Sequence, residues 1–213
     1  DGPAGAGKSS VAKIIAKKLG FVYLDTGALY RAVALHALNS KNPQYAIDTL
    51  DNLDLKISIV DDQQNIFLNN ENITKKIRTP KVSSMASKLS AKPEVREFLL
   101  DMQRDFAKKY DVLMDGRDIG TTILPNATVK IFLTASPTVR AKRRYKQLCE
   151  KGQNVAFENI LSEINERDYR DEHRDISPLQ KADDAILVDN SDMNFDQTVH
   201  TVMALIQERI DSK

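Results

Sequence analysis

The sequence predicts an α/β fold in which a parallel sheet is covered by helices on both faces. Three observations lead to this prediction. Short apolar runs of strand length alternate with longer amphipathic segments along most of the chain. A glycine-rich loop stands at the beginning and leads directly into a helical pattern. The 213 residues are enough for one core domain, 1–213, that carries an insertion.

Composition excludes several classes of protein. Hydrophobic residues make up 41% of the chain, and 31 basic against 30 acidic residues give a net charge of +1. A protein that coats nucleic acid or binds an acidic membrane would show a large excess of basic residues, so the balance argues against both classes. Cys149 is the only cysteine, and no spaced Cys/His set suggests zinc. A single cysteine cannot form an internal disulfide, so we expect a cytoplasmic protein. No run is apolar enough to cross a bilayer.

The opening loop carries the most specific motif. Residues Gly2–Ser9 match G-x-x-x-x-G-K-[ST] at every fixed position. Small residues let successive backbone N–H groups turn inward around phosphate oxygens, while Lys8, expected to be exposed, adds a mobile cation. The hydroxyl of Ser9 can ligate Mg²⁺. Because such loops follow a strand, we expect a strand of about 5–6 residues before Asp1.

The remaining elements follow in order. Apolar residues at helical spacing after Ser9 predict the first helix, which Gly20 ends. Asp25 is a candidate cap for a helix from Ala28 toward Asn39. The predicted strands are 21–24, 55–60, 65–68, 112–114, 129–133 and 185–188. Further helices are predicted from residues 82, 93, 137, 157 and 199. The 53–75 stretch breaks the alternation and is predicted to be a small antiparallel insertion with a turn at 61–64.

A phosphate-binding loop alone does not distinguish a kinase from a GTPase or an ATP-driven machine. No Asn-Lys-x-Asp sequence for reading guanine occurs, and the chain is short for a motor. Single arginines are scattered where a phosphorylated second substrate would need them, although a surface salt bridge is the simpler explanation for each one alone. These arginines are Arg31, Arg117, Arg167, Arg170 and Arg174.

Four segments in this order resemble bacterial cytidylate kinases. They are residues 1–10, 24–31 (LDTGALYR), 115–121 (DGRDIGT) and 166–171 (ERDYRD). The resemblance covers essentially the whole chain, including the insertion. It implies a five-stranded parallel sheet, a nucleoside-monophosphate region at 28–100 and a short lid at 147–156. The adenylate kinase type would show a proline-containing segment in place of Asp115–Asp118.

The resemblance also implies which residues bind the two nucleotides. ATP would be held by Gly2, Pro3, Ala4, Gly5, Ala6, Gly7, Lys8, Ser9, Ser10, Arg143 and Arg144. CMP would be held by Thr26, Arg31, Ser87, Arg96, Arg117, Asp118, Arg167, Asp171 and Arg174. Lys8, Arg117 and Arg170 would be catalytic, and Ser9 and Asp115 would hold Mg²⁺. Without the resemblance, Arg167 and Asp171 read as an ordinary solvated i,i+4 pair.

One helix is strongly basic. Residues 140–151 hold six basic residues against Glu150, which without the resemblance describes a solvated face. Next to the expected lid, with Gly152 as a hinge, this charge favours closure over ATP phosphates.

We therefore expect a monomeric kinase that transfers a phosphoryl group from ATP to CMP or dCMP. The expected partners are small-molecule nucleotides, with no nucleic-acid polymer and no membrane. Two alternatives are a kinase for another small acceptor, such as a different nucleotide or a shikimate-like compound, and an ATP-binding switch without transfer.

Overall fold

The structure is a computed structural model that describes residues 1–40 and 42–212. It divides into two compact units, the first formed by Asp1–Ile15 and the chain from Arg117 onward, the second by Ala16–Gly116. The helices are α1 (Lys8–Leu19), α2 (Thr26–Asn39), α3 (Pro43–Asp48), α4 (Pro80–Leu89), α5 (Pro93–Lys109), α6 (Pro137–Glu150), α7 (Phe157–Glu172) and α8 (Phe195–Asp211). The strands are β1 (Val22–Asp25), β2 (Leu55–Val60), β3 (Gln63–Leu68), β4 (Glu71–Asn72), β5 (Val112–Asp115), β6 (Ile131–Thr134) and β7 (Ile186–Asp189).

The first unit contains a parallel strand pair beside the glycine-rich loop. β6 pairs with β7, with Ile131 opposite Ile186 and Thr134 opposite Asp189. The backbone of Asp1 joins this ladder, because its nitrogen donates to Ile131 O at 2.8 Å and its carbonyl accepts from Leu133 N at 2.8 Å. The loop therefore starts from a position that is held against β6.

Helices α6 and α7 form a hairpin in the same unit. Ala141 and Leu148 of α6 pack with Ile160 and Ile164 of α7 in one buried cluster. Helix α6 begins where the chain favours a helix start, because Pro137 occupies its first turn and the Ser136 side chain accepts from the Val139 N–H. This hairpin positions the arginines of α6 and α7.

The second unit contains the other parallel pair. β1 pairs with β5, so that Val22 lies opposite Val112 and Asp25 lies opposite Asp115. The carboxyl ends of both strands therefore end level with one another, and each ends in an aspartate. Ligand sites of α/β sheets form at such ends.

An antiparallel sheet occupies the predicted insertion. β2 pairs with β3, which pairs with β4. Asp61 and Asp62 make the turn with positive φ angles of 51° and 57°. Aspartate tolerates this left-handed backbone better than most residues. The insertion is confirmed, but the predicted four-residue turn is too long, because Gln63 and Gln64 already belong to β3.

The core of the second unit is built around α2. Leu29 and Val33 of this helix are fully buried, together with Ile66 of β3 and Leu99 of α5. Burial of such side chains is the main favourable term in folding. Apolar residues of α2 and α5 therefore pack into this core.

The predicted α/β class with parallel strands is confirmed. The described residues show two parallel pairs, and a single sheet of five strands remains a prediction. The sequence patterns missed α3, β4, a 3₁₀ turn at Leu50–Asn52 and a π-helical turn at Ile119–Ile123, all of which are short. Within 1–40 and 42–212, no helix has the length and apolarity needed to cross a bilayer.

Candidate nucleotide-binding site

The glycine-rich loop ends at Lys8, where α1 begins, as the motif predicts. Gly2 has a φ of +139°, and a Cβ at this position would lie 2.0 Å from Leu133 O. Only glycine fits so close to β6. Gly5 has a φ of +79°, which side chains other than glycine rarely adopt. The fixed glycines of the motif thus have steric reasons in this fold.

The side chain of Lys8 folds back into the loop of residues 2–7 that precedes it. Its Nζ donates to Pro3 O at 2.7 Å, and the residue is only 9% exposed. The expectation that Lys8 is exposed is therefore wrong, because the loop wraps around its side chain. The hydroxyl-bearing residues Ser9 and Ser10 are exposed in the first turn of α1. Backbone N–H groups at a helix start, with a lysine beside them, attract phosphate.

Two arginine–carboxylate pairs connect the turn after β5 to α7 and the segment that follows it. Arg117 Nε donates to Asp171 Oδ2 at 2.9 Å, and Arg174 Nη2 lies 3.3 Å from Asp118 Oδ1. Asp118, Asp171 and Arg174 are buried, and Arg117 is half-buried. The structure thus brings together four of the predicted site residues. Asp171 is buried and pairs with Arg117, so the interpretation of Arg167 and Asp171 as an ordinary solvated pair is wrong.

Asp1 organises the same region, a role that the sequence patterns did not indicate. Its carboxylate accepts from the backbone N–H groups of Ile119 at 2.9 Å and Gly120 at 2.8 Å. These N–H groups lie directly after Asp118. The contact therefore stabilises the π-helical turn that presents Arg117 and Asp118.

The other predicted arginines of the first unit differ in exposure. Arg170 and Arg144 are exposed, and the Arg170 Nε donates to Glu166 O at 3.2 Å. Arg167 is half-buried on α7. Arg143 donates to the side chain of Asn190 at 3.0 Å and to its carbonyl at 2.7 Å. Roles for these four residues remain predictions.

In the second unit, Asp25 is the centre of a charged cluster. Its Oδ1 accepts from Ala28 N at 3.1 Å and so caps α2, as predicted. Its Oδ2 accepts from Arg31 at 2.7 Å and from Arg78 at 2.8 Å. The Gln64 side chain bonds both the N–H and the carbonyl of Asp25, at 2.8 and 3.2 Å. Arg78 and Gln64 were not predicted, because no local motif marks them.

These contacts set the ionisation of the cluster. Burial by itself raises the pKa of Asp25, but Arg31 and Arg78 outweigh burial and hold that pKa below its usual value. Burial lowers the pKa of Arg31, and Asp25 counteracts this. At neutral pH the cluster therefore contains the carboxylate of Asp25 and two guanidinium groups, and Asp115 on the neighbouring strand also interacts electrostatically with Arg31. The guanidinium groups can bind an anion.

Asp115, at the end of β5, is held by its neighbours in the same unit. The Tyr23 hydroxyl donates to Asp115 Oδ1 at 2.7 Å, and the Thr26 hydroxyl donates to its carbonyl at 2.9 Å. Both Asp115 and Thr26 are buried. Thr26 thus has a structural contact in addition to its predicted role.

Ser87 and Arg96, the predicted cytosine readers of the second unit, are buried at 8% exposure each. Arg96 Nη1 donates to Ser90 O at 3.2 Å, and its guanidinium lies 5.8 Å from the centre of the Tyr30 ring. The Ser87 Oγ has no hydrogen-bond partner among the described residues. A buried hydroxyl without a partner is costly, and a polar ligand would satisfy it.

A metal ion would depend on a bound nucleotide. The described part of the chain contains no group of three His, Cys, Asp or Glu side chains that could hold a metal. Mg²⁺ commonly binds through one or two protein oxygens together with substrate phosphates and water. The Ser9 hydroxyl is exposed, and roles of Ser9 and of Asp115 in holding such an ion remain predictions.

A glycine-rich loop that opens a helix, a lysine within it and arginine–carboxylate pairs on an α/β scaffold define a P-loop phosphotransferase. Comparison with known proteins gives the family. The family model described as cytidylate kinase matches residues 1–208. The chain belongs to the cytidylate kinase family.

Individual relatives are similar to this chain over nearly its whole length. The chain is 46% identical to the cytidylate kinase of Caldicellulosiruptor saccharolyticus, over 100% of this chain and 96% of that protein. It is 48% identical to that of Clostridium tetani, over 99% and 93%. It is 49% identical to that of Ligilactobacillus salivarius, over 98% and 95%. The predicted resemblance is confirmed.

Proposed function

We propose that the chain transfers the terminal phosphoryl group of ATP to the phosphate of CMP or dCMP, giving ADP and CDP or dCDP. The observation that carries the proposal is the full-length match to the cytidylate kinase family. The loop of residues 2–8 supports it independently, because its glycine conformations, its buried lysine and the helix that it opens suit a polyphosphate.

The loop amides and Lys8 would bind the β- and γ-phosphates of ATP. As the phosphoryl group transfers, charge on its three equatorial oxygens is stabilised by donors already in place. An oxygen of the CMP phosphate attacks the γ-phosphorus, the bond from the γ-phosphorus to the bridging oxygen breaks, and ADP leaves. That phosphate oxygen is already a nucleophile near neutral pH, so positioning is the main requirement.

Arginine, aspartate and hydroxyl side chains are proposed to bind the acceptor. Arg31, Arg117 and Arg174 would bind its phosphate. Each of these guanidinium groups is paired with a carboxylate, and a guanidinium has further N–H groups that can donate to a phosphate. Arg167 and Asp171 would contact the ribose, and Thr26, which follows Asp25, would also bind CMP. Ser87, Arg96 and Asp118 would read cytosine, and the buried Ser87 hydroxyl supports this.

The remaining roles belong to the ATP side. Arg170 would contact the transferring phosphoryl group, and Arg143 and Arg144 would bind ATP. Mg²⁺, held by Ser9 and Asp115 with the phosphates of ATP, would supply positive charge to the polyphosphate. The lid at 147–156, the region 28–100, the monomeric state and a cytoplasmic location remain part of the proposal.

A coupled assay of ADP release across CMP, dCMP, UMP, AMP and shikimate tests the function. We expect kcat/KM for CMP and dCMP to exceed that for UMP by roughly 10²–10⁴. Uracil has an acceptor where cytosine has a donor, and a donor where cytosine has an acceptor, so UMP would leave buried groups of the site unpaired. Transfer without cytosine preference would instead support a kinase for another acceptor. ATP binding without transfer to any acceptor would support a switch.

A further inference from the structure

The phosphate loop is anchored through two of its carbonyl groups. Ala4 O accepts from Arg140 Nη1 at 3.0 Å, and Ala6 O accepts from Asn190 Nδ2 at 3.0 Å. Both donors are buried, Asn190 at 2% and Arg140 at 3% exposure. Neither residue belongs to the loop motif. Both lie in the second segment of the first unit, which begins at Arg117.

Arg140 is itself fixed on three sides. Its Nε donates to Ala135 O at 2.7 Å, and its Nη2 lies 2.6 Å from Asp168 Oδ2. The third contact is the one to Ala4 O. Because a guanidinium is planar and its donors have a fixed geometry, these contacts leave it one orientation.

The orientation of the Asn190 amide is determined by Arg143. The guanidinium of Arg143 donates to Asn190 Oδ1 at 3.0 Å and to Asn190 O at 2.7 Å. Arginine can only donate, so the side-chain atom that faces it must be the oxygen. The amide nitrogen therefore faces Ala6 O, and the backbone N–H of Asn190 donates to Thr134 O at 2.8 Å, which holds the residue at the end of β7.

Anchoring a carbonyl also orients an amide. In a trans peptide the C=O and the following N–H point in opposite directions. Holding Ala4 O toward Arg140 directs the Gly5 N–H away from Arg140, and holding Ala6 O toward Asn190 directs the Gly7 N–H away from Asn190. These are N–H groups of the kind that surround phosphate oxygens in such loops.

We propose that Asn190, oriented by Arg143, is a positioning residue that holds the phosphate loop ready for polyphosphate before any nucleotide binds, with Arg140 as its counterpart at Ala4. The proposal rests on the proposed function, since the ligand of the loop is the polyphosphate of ATP. It gives Arg143 a role through Asn190 in addition to the predicted contact with ATP.

Two substitutions at one position separate this role from simple structural support. Asn190→Ala removes both the donor to Ala6 and the acceptor for Arg143. Asn190→Asp keeps an acceptor for Arg143 but has no N–H to donate to Ala6 O. Asn159→Ala, an exposed asparagine of α7, is the matched control.

The full-length variants are compared by the KM for ATP, the KM for CMP and the inhibition constant of inorganic tripolyphosphate against ATP. For both Asn190 variants we expect the KM for ATP and the tripolyphosphate constant to rise together, about five- to tenfold, as for one lost hydrogen bond. The KM for CMP should change by less than about twofold, and Asn159→Ala should match wild type. The uncharged alanine variant shows that an added negative charge is not the cause.

Wild-type constants for Asn190→Asp would overturn the proposal. A defect in Asn190→Ala alone would then leave Asn190 as a support for Arg143 only. An equal rise in the KM for CMP would overturn it as well, because the effect would then be general. Tripolyphosphate binding, measured by calorimetry, needs no acceptor. If wild type failed to phosphorylate CMP, the proposed function would fall while the role of Asn190 could still be measured.

Discussion

Two regions of the molecule are suited to phosphate, and they are built in opposite ways. The loop in the first unit uses backbone N–H groups contributed by a few consecutive residues, and side chains serve to hold that backbone. The cluster around Asp25 in the second unit uses side-chain charges from Arg31 and Arg78, with Gln64 holding the backbone of Asp25.

This difference has physical consequences. Backbone N–H groups carry no titratable charge, so the loop can be disturbed only through its lysine, its glycines or its anchors. In the cluster, removing Asp25 leaves two guanidinium groups without their carboxylate, and removing either arginine leaves the buried Asp25 with one cationic partner instead of two. The loop should therefore respond steeply at one side chain and little to pH, whereas the cluster should respond to several substitutions and to acid.

The largest effect is expected at the loop. Lys8→Ala should lower kcat by roughly 10²–10³ or more, because it removes a cation from the transferring phosphoryl group. The steady-state rate with saturating ATP and CMP measures it, and circular dichroism checks the fold, since Lys8 is buried. Lys17→Ala, on the exposed face of α1, is the control. Retention of more than about a third of the wild-type rate would remove Lys8 from the mechanism.

The next effect concerns the acceptor phosphate. Arg31→Ala should raise the KM for CMP by roughly ten- to a hundredfold, as for charge-assisted hydrogen bonds, with the KM for ATP unchanged. Arg78→Ala should raise it by less than roughly fivefold, because the Arg78 side chain is 47% exposed and solvent screens its charge.

Initial rates at varied CMP, with Lys88→Ala on α4 as an exposed control, compare the two arginines. Equal effects of both substitutions would mean that the cluster matters only through the charge of Asp25. A rise in the KM for ATP would remove the distinction between the two regions.

A smaller effect is expected on base selection. Asp118→Asn should narrow the CMP/UMP ratio of kcat/KM by about tenfold, because a carboxylate only accepts while an amide can donate to O4 of uracil. The amide oxygen can still accept from Arg174, so the buried pair is weakened rather than lost. The exposed Asp192→Asn serves as the control. An unchanged ratio in an active variant would assign Asp118 to the orientation of Arg174 instead.

The smallest effect is on acid stability. Because the pKa of Asp25 in the folded chain lies below its unfolded value, its contribution to stability is present above the unfolded pKa of about 3.9 and is lost as the pH falls through the folded pKa. Asp25→Asn should therefore show a shallower fall of Tm below about pH 4 than wild type. Thermal unfolding across this range measures the slopes, and identical slopes would contradict a lowered pKa.

Sequence patterns predicted the long elements well, because amphipathic helices and buried strands follow local periodicity. α2, α5 and α6 match the predicted helices, and the Asp25 cap was recognisable from its position before α2. Gln64, Arg78 and Asn190 were missed, because each acts through contacts to residues distant in sequence. Lys8 was misjudged for a related reason: a motif gives residue types and says nothing about what the loop covers.

The sequence by itself determined the α/β class, the phosphate loop and the family, since these depend on periodicity and on short runs of specific residues. Only the tertiary structure decided that Asp171 pairs with Arg117, that Asp25 joins Arg31 and Arg78, and that Asn190 holds the loop. Such contacts arise when packing brings distant segments to hydrogen-bonding distance. An arginine that is equally plausible at many places along the chain acquires its partner only there.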